Sequence, residues 1–334
     1  MKLLALKFPA ISTYPLNGKR GEFMKRALTL AALIVLGGLS IVATGSQAPA
    51  GPTAAQTAAA KIEKVKDNLY MITGSAADSQ DTFTGGNTAV FITDAGVVLV
   101  DTKLAGFGPT ILNQVKSVTN KPVVRIINTH THADHTGSNE FFNTVMDSVV
   151  QENTKANMAK MDEFKGAKAK FLPKRTFKDK LTIGNGKDEI DLYYFGRAHT
   201  SGDTFVVFPA LRVMHVGDVF AWKAIPYVDD KNGGSVLAHP QTIANALATI
   251  KNVDTIINGH IPVSTWNDLK EYGDFSKAFV TWGESQMKAG KTVEQAAAEY
   301  KTPPQFKGYK VSVNPDYGSP KANLQILYNE LKKK

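Results

Sequence analysis

Three histidines and one aspartate occupy four of the six positions from His130 to His135, in the stretch Asn128-Thr-His-Thr-His-Ala-Asp-His-Thr-Gly137. Crowding that many titratable groups costs desolvation and mutual repulsion unless a cation offsets both. The stretch follows directly on the apolar run Val123–Ile127, so it begins where a strand ends. In an extended chain His130 and His132 point to one side, because side chains alternate with a period of two. Asp134 and His135 come where the chain turns into Thr136-Gly137, and they diverge from the first pair. One short segment can therefore serve two ions, with His130 and His132 on one and Asp134 and His135 on the other.

Three further residues stand in comparable places. His199 lies just past the run Ile190–Phe195, Asp218 just past Val213–Val216, and His260 just past Thr255–Ile257. Each is at the carboxyl end of a predicted strand, where loops gather around a site in sheet-based enzymes. Imidazole and carboxylate donors suit Zn²⁺, and Mn²⁺ or Fe²⁺ fits the same set. Two such ions about 3.5–4 Å apart bring the pKa of bound water towards ~7. A hydroxide so formed is itself a nucleophile and needs no Ser or Cys. Two dications against Asp134, Asp218 and hydroxide leave the set net positive, which favours an anionic small-molecule substrate. The chain has no cysteine, which excludes thiolate ligands, disulfides and a lipidated cysteine anchor. Of the remaining histidines, His215 sits inside a strand run and reads as packing, and His239 precedes Pro240 at a helix start.

The elements that must hold these residues are legible as short apolar runs between turn residues. Strands are predicted at Leu69–Ile72, Thr88–Ile92, Val97–Val100, Val123–Ile127, Ile190–Phe195, Phe205–Phe208, Val213–Val216 and Thr255–Ile257. Helical spacing appears at about 107–118, 153–165, 240–250, 265–289 and 292–300. Strand runs first, then strands alternating with helices, predict sheets covered by helices.

The formal net charge is +9, but six basic residues against Glu22 lie within residues 1–48, and the later lysines are scattered. That pattern reads as a solvated surface and not as a nucleic-acid stripe. Met24-Lys-Arg, the apolar run Ala27–Val42 and the small-x-small site Ser46-Gln-Ala48 read as a secretory signal peptide. The run is short for a bilayer and contains Gly37, Gly38 and Ser40, so no stable membrane insertion is expected after cleavage. Residues 1–48 are thus an N-terminal extension and signal, with Met24 a candidate start. Residues 49–60, rich in Pro, Ala, Gly and Thr, read as a linker. Residues 61–265 form the main domain, and 266–334 form a helical extension packed on it. The expected location is secreted or periplasmic.

HTHADH followed in order by AHTSGDT, VGD and NGH resembles the motif set of the metallo-β-lactamase superfamily, over roughly residues 62–265. The resemblance implies an α+β fold, a four-layer αβ/βα sandwich with the site at one edge. It implies that His130, His132 and His199 hold one Zn²⁺, that Asp134, His135 and His260 hold the second, and that Asp218 bridges both. Asp134 is also the candidate to take up a proton during turnover. Asp101, ending Val97-Val-Leu-Val-Asp101, matches a family aspartate that braces the metal loop. The best-known secreted β-lactamases carry a Cys near the place of Asp218; a bridging Asp is typical of glyoxalase II-like thioesterases and lactonases. Ala221 stands where some relatives have a substrate-binding Tyr or Lys, which leaves Lys223 as the candidate partner of a substrate carboxylate. Phe83, in the loop Gly74–Gly86, and Trp222 are candidate apolar walls.

The function so implied is a secreted binuclear hydrolase of an ester, thioester, lactone or β-lactam carbonyl. Two other classes are weighed against it. A mono-iron oxygen- or persulfide-handling oxidoreductase of the same fold would use part of the same ligand set. A non-catalytic metal-binding module would be expected to have eroded ligands, and here seven are intact.

Overall fold

The computed structural model describes residues 51–74, 79–142, 147–311 and 318–333; the signal peptide and candidate starts expected within residues 1–48 lie outside them. Among the described residues no helix is long and apolar enough to cross a membrane.

Two sheets face each other. The first runs in chain order through β1 (Ile62–Lys66), β2 (Leu69–Ile72), β3 (Thr88–Ile92), β4 (Val97–Val100), β5 (Val123–Ile127), β6 (Asp147–Gln151) and β7 (Arg175–Phe177). It is antiparallel up to β4 and parallel from β4 to β7. The second sheet has the order β13 (Ser264–Thr265), β12 (Thr255–Ile257), β11 (Val213–His215), β10 (Phe205–Phe208), β9 (Ile190–Tyr193), β8 (Lys180–Ile183). Its pairings are antiparallel except β11 with β12.

The continuous apolar run of β4 follows from burial on both faces. Val98 and Val100 point between the sheets, where they join Leu69, Phe91, Ile127, Leu192, Val206 and Phe208. Val97 and Leu99 point outward onto Phe107, Ile111 and Val115 beside and within helix α2 (Gly108–Lys116). The second sheet repeats the arrangement: Phe205, Val207, Met214 and Ile256 pack outward against α5 (His239–Thr249) and α6 (Trp266–Lys288). The result is four layers, helix–sheet–sheet–helix, as expected for the α+β sandwich.

Helix α6 starts with a capping box, in which the Thr265 side chain accepts from Asp268 N and the Asp268 side chain accepts from Thr265 N. Its buried positions Leu269, Tyr272, Phe275, Ser276, Phe279, Val280 and Gly283 recur every three to four residues, so one stripe faces the core. The C-terminal helices α7 (Val293–Glu299) and α8 (Pro320–Leu331) join that same core through Ala296, Leu324 and Leu327.

Several local expectations differ from the structure. The 49–60 stretch, expected as a patternless linker, holds helix α1 (Ala54–Ala59), because Thr53 and Gln56 form a capping box. The helix expected over 153–165 is α4 (Glu152–Met158), followed by short turns that bring Phe164 onto Val150 and Met158. Strands β1, β6, β7, β8 and β13 were not marked by an apolar run; they carry charged or polar residues on their open faces.

Candidate metal centre

The loop after β5 opens into a four-residue helix, α3 (Ala133–Thr136), with His132 at its N-cap in extended conformation. That geometry sends His130 and His132 to one place and Asp134 and His135 to another. His199 arrives on the turn before β10, which Asp203 ties by accepting from Thr200 N at 2.9 Å and Thr200 Oγ1 at 2.7 Å. Burial pushes the Asp203 carboxyl up to about 7, against those bonds. Asp218 follows β11 in a short turn, Gly217–Phe220. Gly217 there has φ +50, and a Cβ would lie 2.5 Å from Thr129 Oγ1, so neither the backbone nor the space admits a side chain. His260 ends the loop after β12, which Asn87 holds from the first sheet by donating to Asn258 O at 2.9 Å and Ile261 O at 2.8 Å.

The seven candidates form overlapping groups, with the ligand atoms of His130, His135 and Asp218 within 4.8 Å of one another where the others meet. Ligand atoms of His130, His132 and His199 lie within 4.8 Å of one another, as do those of Asp134, His135 and His260. In the first group the rings stand nearly perpendicular, with centroids 4.6–4.9 Å apart. Each ring has one nitrogen held from outside. His130 Nδ1 is 2.9 Å from Thr129 Oγ1, His132 Nε2 is 2.8 Å from Asp229 Oδ2, and His199 Nδ1 is 2.7 Å from Tyr227 O. The opposite nitrogens converge: His199 Nε2 is 2.9 Å from His132 Nδ1, and His130 Nε2 is buried with no protein partner. Outer bonds of this kind fix the tautomer and leave the inner nitrogen as an electron-pair donor. Burial, reinforced by the neighbouring His135 and His199, holds His130 well below the usual histidine range, and burial brings His199 down to about 4. Both rings are therefore neutral at pH 7, the form a metal takes.

In the second group His135 Nε2 is 3.6 Å from Asp134 Oδ2 and 3.4 Å from His260 Nε2, and His260 Nε2 is 3.3 Å from Asp134 Oδ2. Asp218 lies between the groups, 3.2 Å from His135 Nε2, 3.2 Å from His260 Nε2 and 3.8 Å from His199 Nε2. Burial would raise the Asp218 carboxyl, yet His260 and His135 hold it well below the usual range. The donor chemistry and the orphaned His130 Nε2 fit divalent metal ions in both groups.

Asp101 lies beside His135 and Thr129. Its carboxylate accepts from Thr129 N at 2.8 Å and Thr129 Oγ1 at 2.7 Å, and lies 2.7 Å from His135 Nδ1. It does so from a left-handed backbone, φ +65, a conformation that persists only where surrounding bonds over-determine it. Lys223 is placed differently from its candidate role. Its ammonium donates to Asp268 at 2.7 Å and lies 3.9 Å from Glu271, so its charge is already matched by α6. His215 and His239 are buried and bonded, with Gly217 N donating to His215 Nδ1 at 3.0 Å and His239 Nδ1 3.0 Å from Ser276 Oγ. Phe83 stacks on His260 at 5.7 Å, and Trp222 lies at 5.7 Å on the same ring.

Three participants escaped the sequence reading. Asp229 sits in Val228-Asp-Asp-Lys, where nothing distinguishes a loop aspartate from one that holds a ligand. Tyr227 stacks on the His132 ring at 5.7 Å. Lys103 follows Asp101 by two, and a lysine with no exposed surface is rare enough that sequence offers no cue for it. Burial pushes its ammonium down to about 7, with Asp101 and Asp134 opposing.

The chain is similar to several known proteins. The profile described as the metallo-beta-lactamase superfamily matches residues 81–260. A metallo-beta-lactamase type 2 of Elizabethkingia meningoseptica is 28% identical over 260 residues, covering 73% of this chain and 91% of the relative. Metallo-beta-lactamase IND-1 of Chryseobacterium indologenes is 28% identical over 178 residues, covering 52% of this chain and 71% of its own. Among solved structures, the DIM-1 metallo-beta-lactamase superposes with a TM-score of 0.54 at 20% identity, over 65% of this chain and 97% of that one. The inverting sec-alkylsulfatase Pisa1 from Pseudomonas sp. superposes with a TM-score of 0.64 at 16% identity, over 81% of this chain and 50% of that one. At these identities the two structures speak for the fold alone.

Proposed function

Because the chain belongs to the metallo-beta-lactamase superfamily, a family of metal-dependent hydrolases, we propose that it is an exported two-metal enzyme that hydrolyses an ester, thioester, lactone or β-lactam carbonyl. The observation that carries the reading is the convergence of the first three imidazoles. Each has one nitrogen held from outside and one turned inward, and His130 Nε2 has no protein partner to turn to. Such an arrangement is unfavourable without a cation and well suited to one.

In this reading His130, His132 and His199 hold one ion, Asp134, His135 and His260 hold the second, and Asp218 reaches both. Zn²⁺ is the proposed occupant, since all seven side chains offer nitrogen or carboxylate donors. When bound, the metal pair supplies an activated water and an electrophile for the carbonyl oxygen. The chain's own residues supply the rest. Asp134 is the ligand carboxylate with most access to solvent, its side chain 21% exposed against 4% for Asp218, which suits it to hold the proton released from water. Phe83 and Trp222 flank His260, and Tyr227 lies over His132, so an apolar part of the substrate has walls on both sides. A substrate carboxylate would be drawn by the net positive centre once two dications are bound; Lys223 could contribute only by leaving Asp268.

A second reading is hydrolysis of a sulfate ester. That activity is the one named for the superposed alkylsulfatase, whose likeness to this chain is one of fold. One experiment separates these outcomes: metal content of the purified protein, then turnover of ester, thioester, lactone, β-lactam and alkyl sulfate substrates before and after chelation. Two ions per chain and chelator-sensitive hydrolysis of a carbonyl substrate are expected. Turnover of the alkyl sulfate alone would favour the second reading, and saturation at one ion would refute the two-metal mechanism.

A further inference from the structure

Lys103 is fully buried, 0% exposed, and the hydrolytic chemistry proposed above does not use it. Its ammonium donates to Thr73 O at 2.8 Å, to Gly86 O at 2.8 Å and to Thr84 Oγ1 at 3.3 Å. Three donors meet three acceptors, so the group is saturated. Thr84 and Gly86 closely follow Phe83 in the chain, and Thr73 directly follows β2. One buried side chain therefore joins Thr84 and Gly86 to Thr73. The backbone around it is equally committed: Lys103 is left-handed at φ +60, its carbonyl accepts from Gly137 N at 2.9 Å, and Leu104 N donates to Thr84 O at 3.2 Å. Towards the metal ligands, Gly86 N donates to Asp134 O at 2.9 Å and Phe83 lies against His260.

We propose that Lys103 is a positioning residue for substrate binding, its buried ammonium tying Thr84 and Gly86 to Thr73 so that Phe83, next to Thr84, is held as a wall of the site. The proposal rests on the hydrolase reading for its substrate, and on the geometry alone for the tie. Lys103 acts through Phe83 on the substrate, and not on the reacting atoms. Losing the tie loosens Thr84 and Gly86, and Phe83 beside them, and weakens substrate binding, while the ligand histidines, anchored by Asp101, Asp229 and Tyr227, stay in place.

The test is Lys103→Met, which keeps the length and removes the donors, read first by amide hydrogen exchange on the full chain. The Gly86 amide is expected to exchange on the order of 10-fold faster, while residues 255–257 in β12 exchange as before. On a working substrate KM should rise by about 10-fold with kcat within about 3-fold, and metal content should be unchanged. In a Phe83→Ala background Lys103→Met should add no further rise in KM, the non-additivity expected of residues acting as a unit. Unchanged exchange at Gly86, an additive effect with Phe83→Ala, or a fall in kcat and metal content at constant KM would overturn the proposal. Should Lys103→Met fail to fold, Thr84→Val removes one acceptor and is expected to move exchange and KM in the same direction by about 3-fold; no change would again overturn it. If the wild type hydrolysed nothing, the exchange result would still decide whether Lys103 ties Gly86.

Discussion

Gly86→Ala is a one-carbon perturbation aimed at the second metal group. A Cβ on Gly86 would lie 2.5 Å from His135 Nε2 and 2.7 Å from Nδ1, with Cε1 closer still. Carbon needs roughly 3.5 Å, so ring and backbone must part by about 1–1.4 Å. Neither side can yield easily. His135 has no exposed surface and is 2.7 Å from Asp101, whose own backbone is left-handed. Gly86 is held on one side by Asp134 O and on the other by the Lys103 ammonium. Overpacking of this kind costs about 1–3 kcal/mol, while metal ligands are held to within about 0.2 Å. Displacing His135 by even a few tenths of an ångström should therefore lower affinity at the second group, by the ~10–100-fold typical of disturbing a ligand's support. The assay is metal titration by calorimetry, with turnover and circular dichroism alongside. One tightly held ion, turnover down by at least about 10²-fold and unchanged secondary structure are expected. Gly51→Ala, which meets nothing within 4 Å, is the matched control. Two full-affinity ions and wild-type turnover in Gly86→Ala would refute the reasoning, because His135 would then be either free to move or no ligand.

Asp218→Ala should lose the second ion preferentially and cut turnover by at least ~10²-fold, the scale of removing one positioned electrostatic group; full occupancy by direct metal analysis would show that another residue joins the two groups. Asp229→Asn keeps the shape beside His132 but weakens its hold on Nε2, so first-ion affinity should fall by about 10-fold or more with the fold intact; competition with a chromogenic chelator measures it. Exported protein should begin near Pro49 by mass spectrometry, and an intact N-terminus in the membrane fraction would favour an anchor instead.

What could be read before folding was whatever is carried by spacing. The HTHADH cluster is local, so its chemistry and its position at the end of β5 follow from a few adjacent residues and the period-two rule. Strands buried on both faces, such as β3, β4 and β10, announce themselves as unbroken apolar runs; β1, β7 and β8 do not, because water takes one of their faces. His199, Asp218 and His260 were legible as strand-end residues, but only pairing β11 beside β12 and facing the two sheets brings them within 3.2–3.8 Å contacts. The supporting groups were out of reach for the same reason. Whether Asp229 holds His132, whether Lys103 is buried beneath Gly86, and whether Lys223 faces the substrate or α6 are long-range matters, each joining elements remote in the chain. Residue type and local pattern limit what a side chain can do; burial and partners, set by the packing of distant segments, determine what Asp101, Asp229, Lys103 and Lys223 do here.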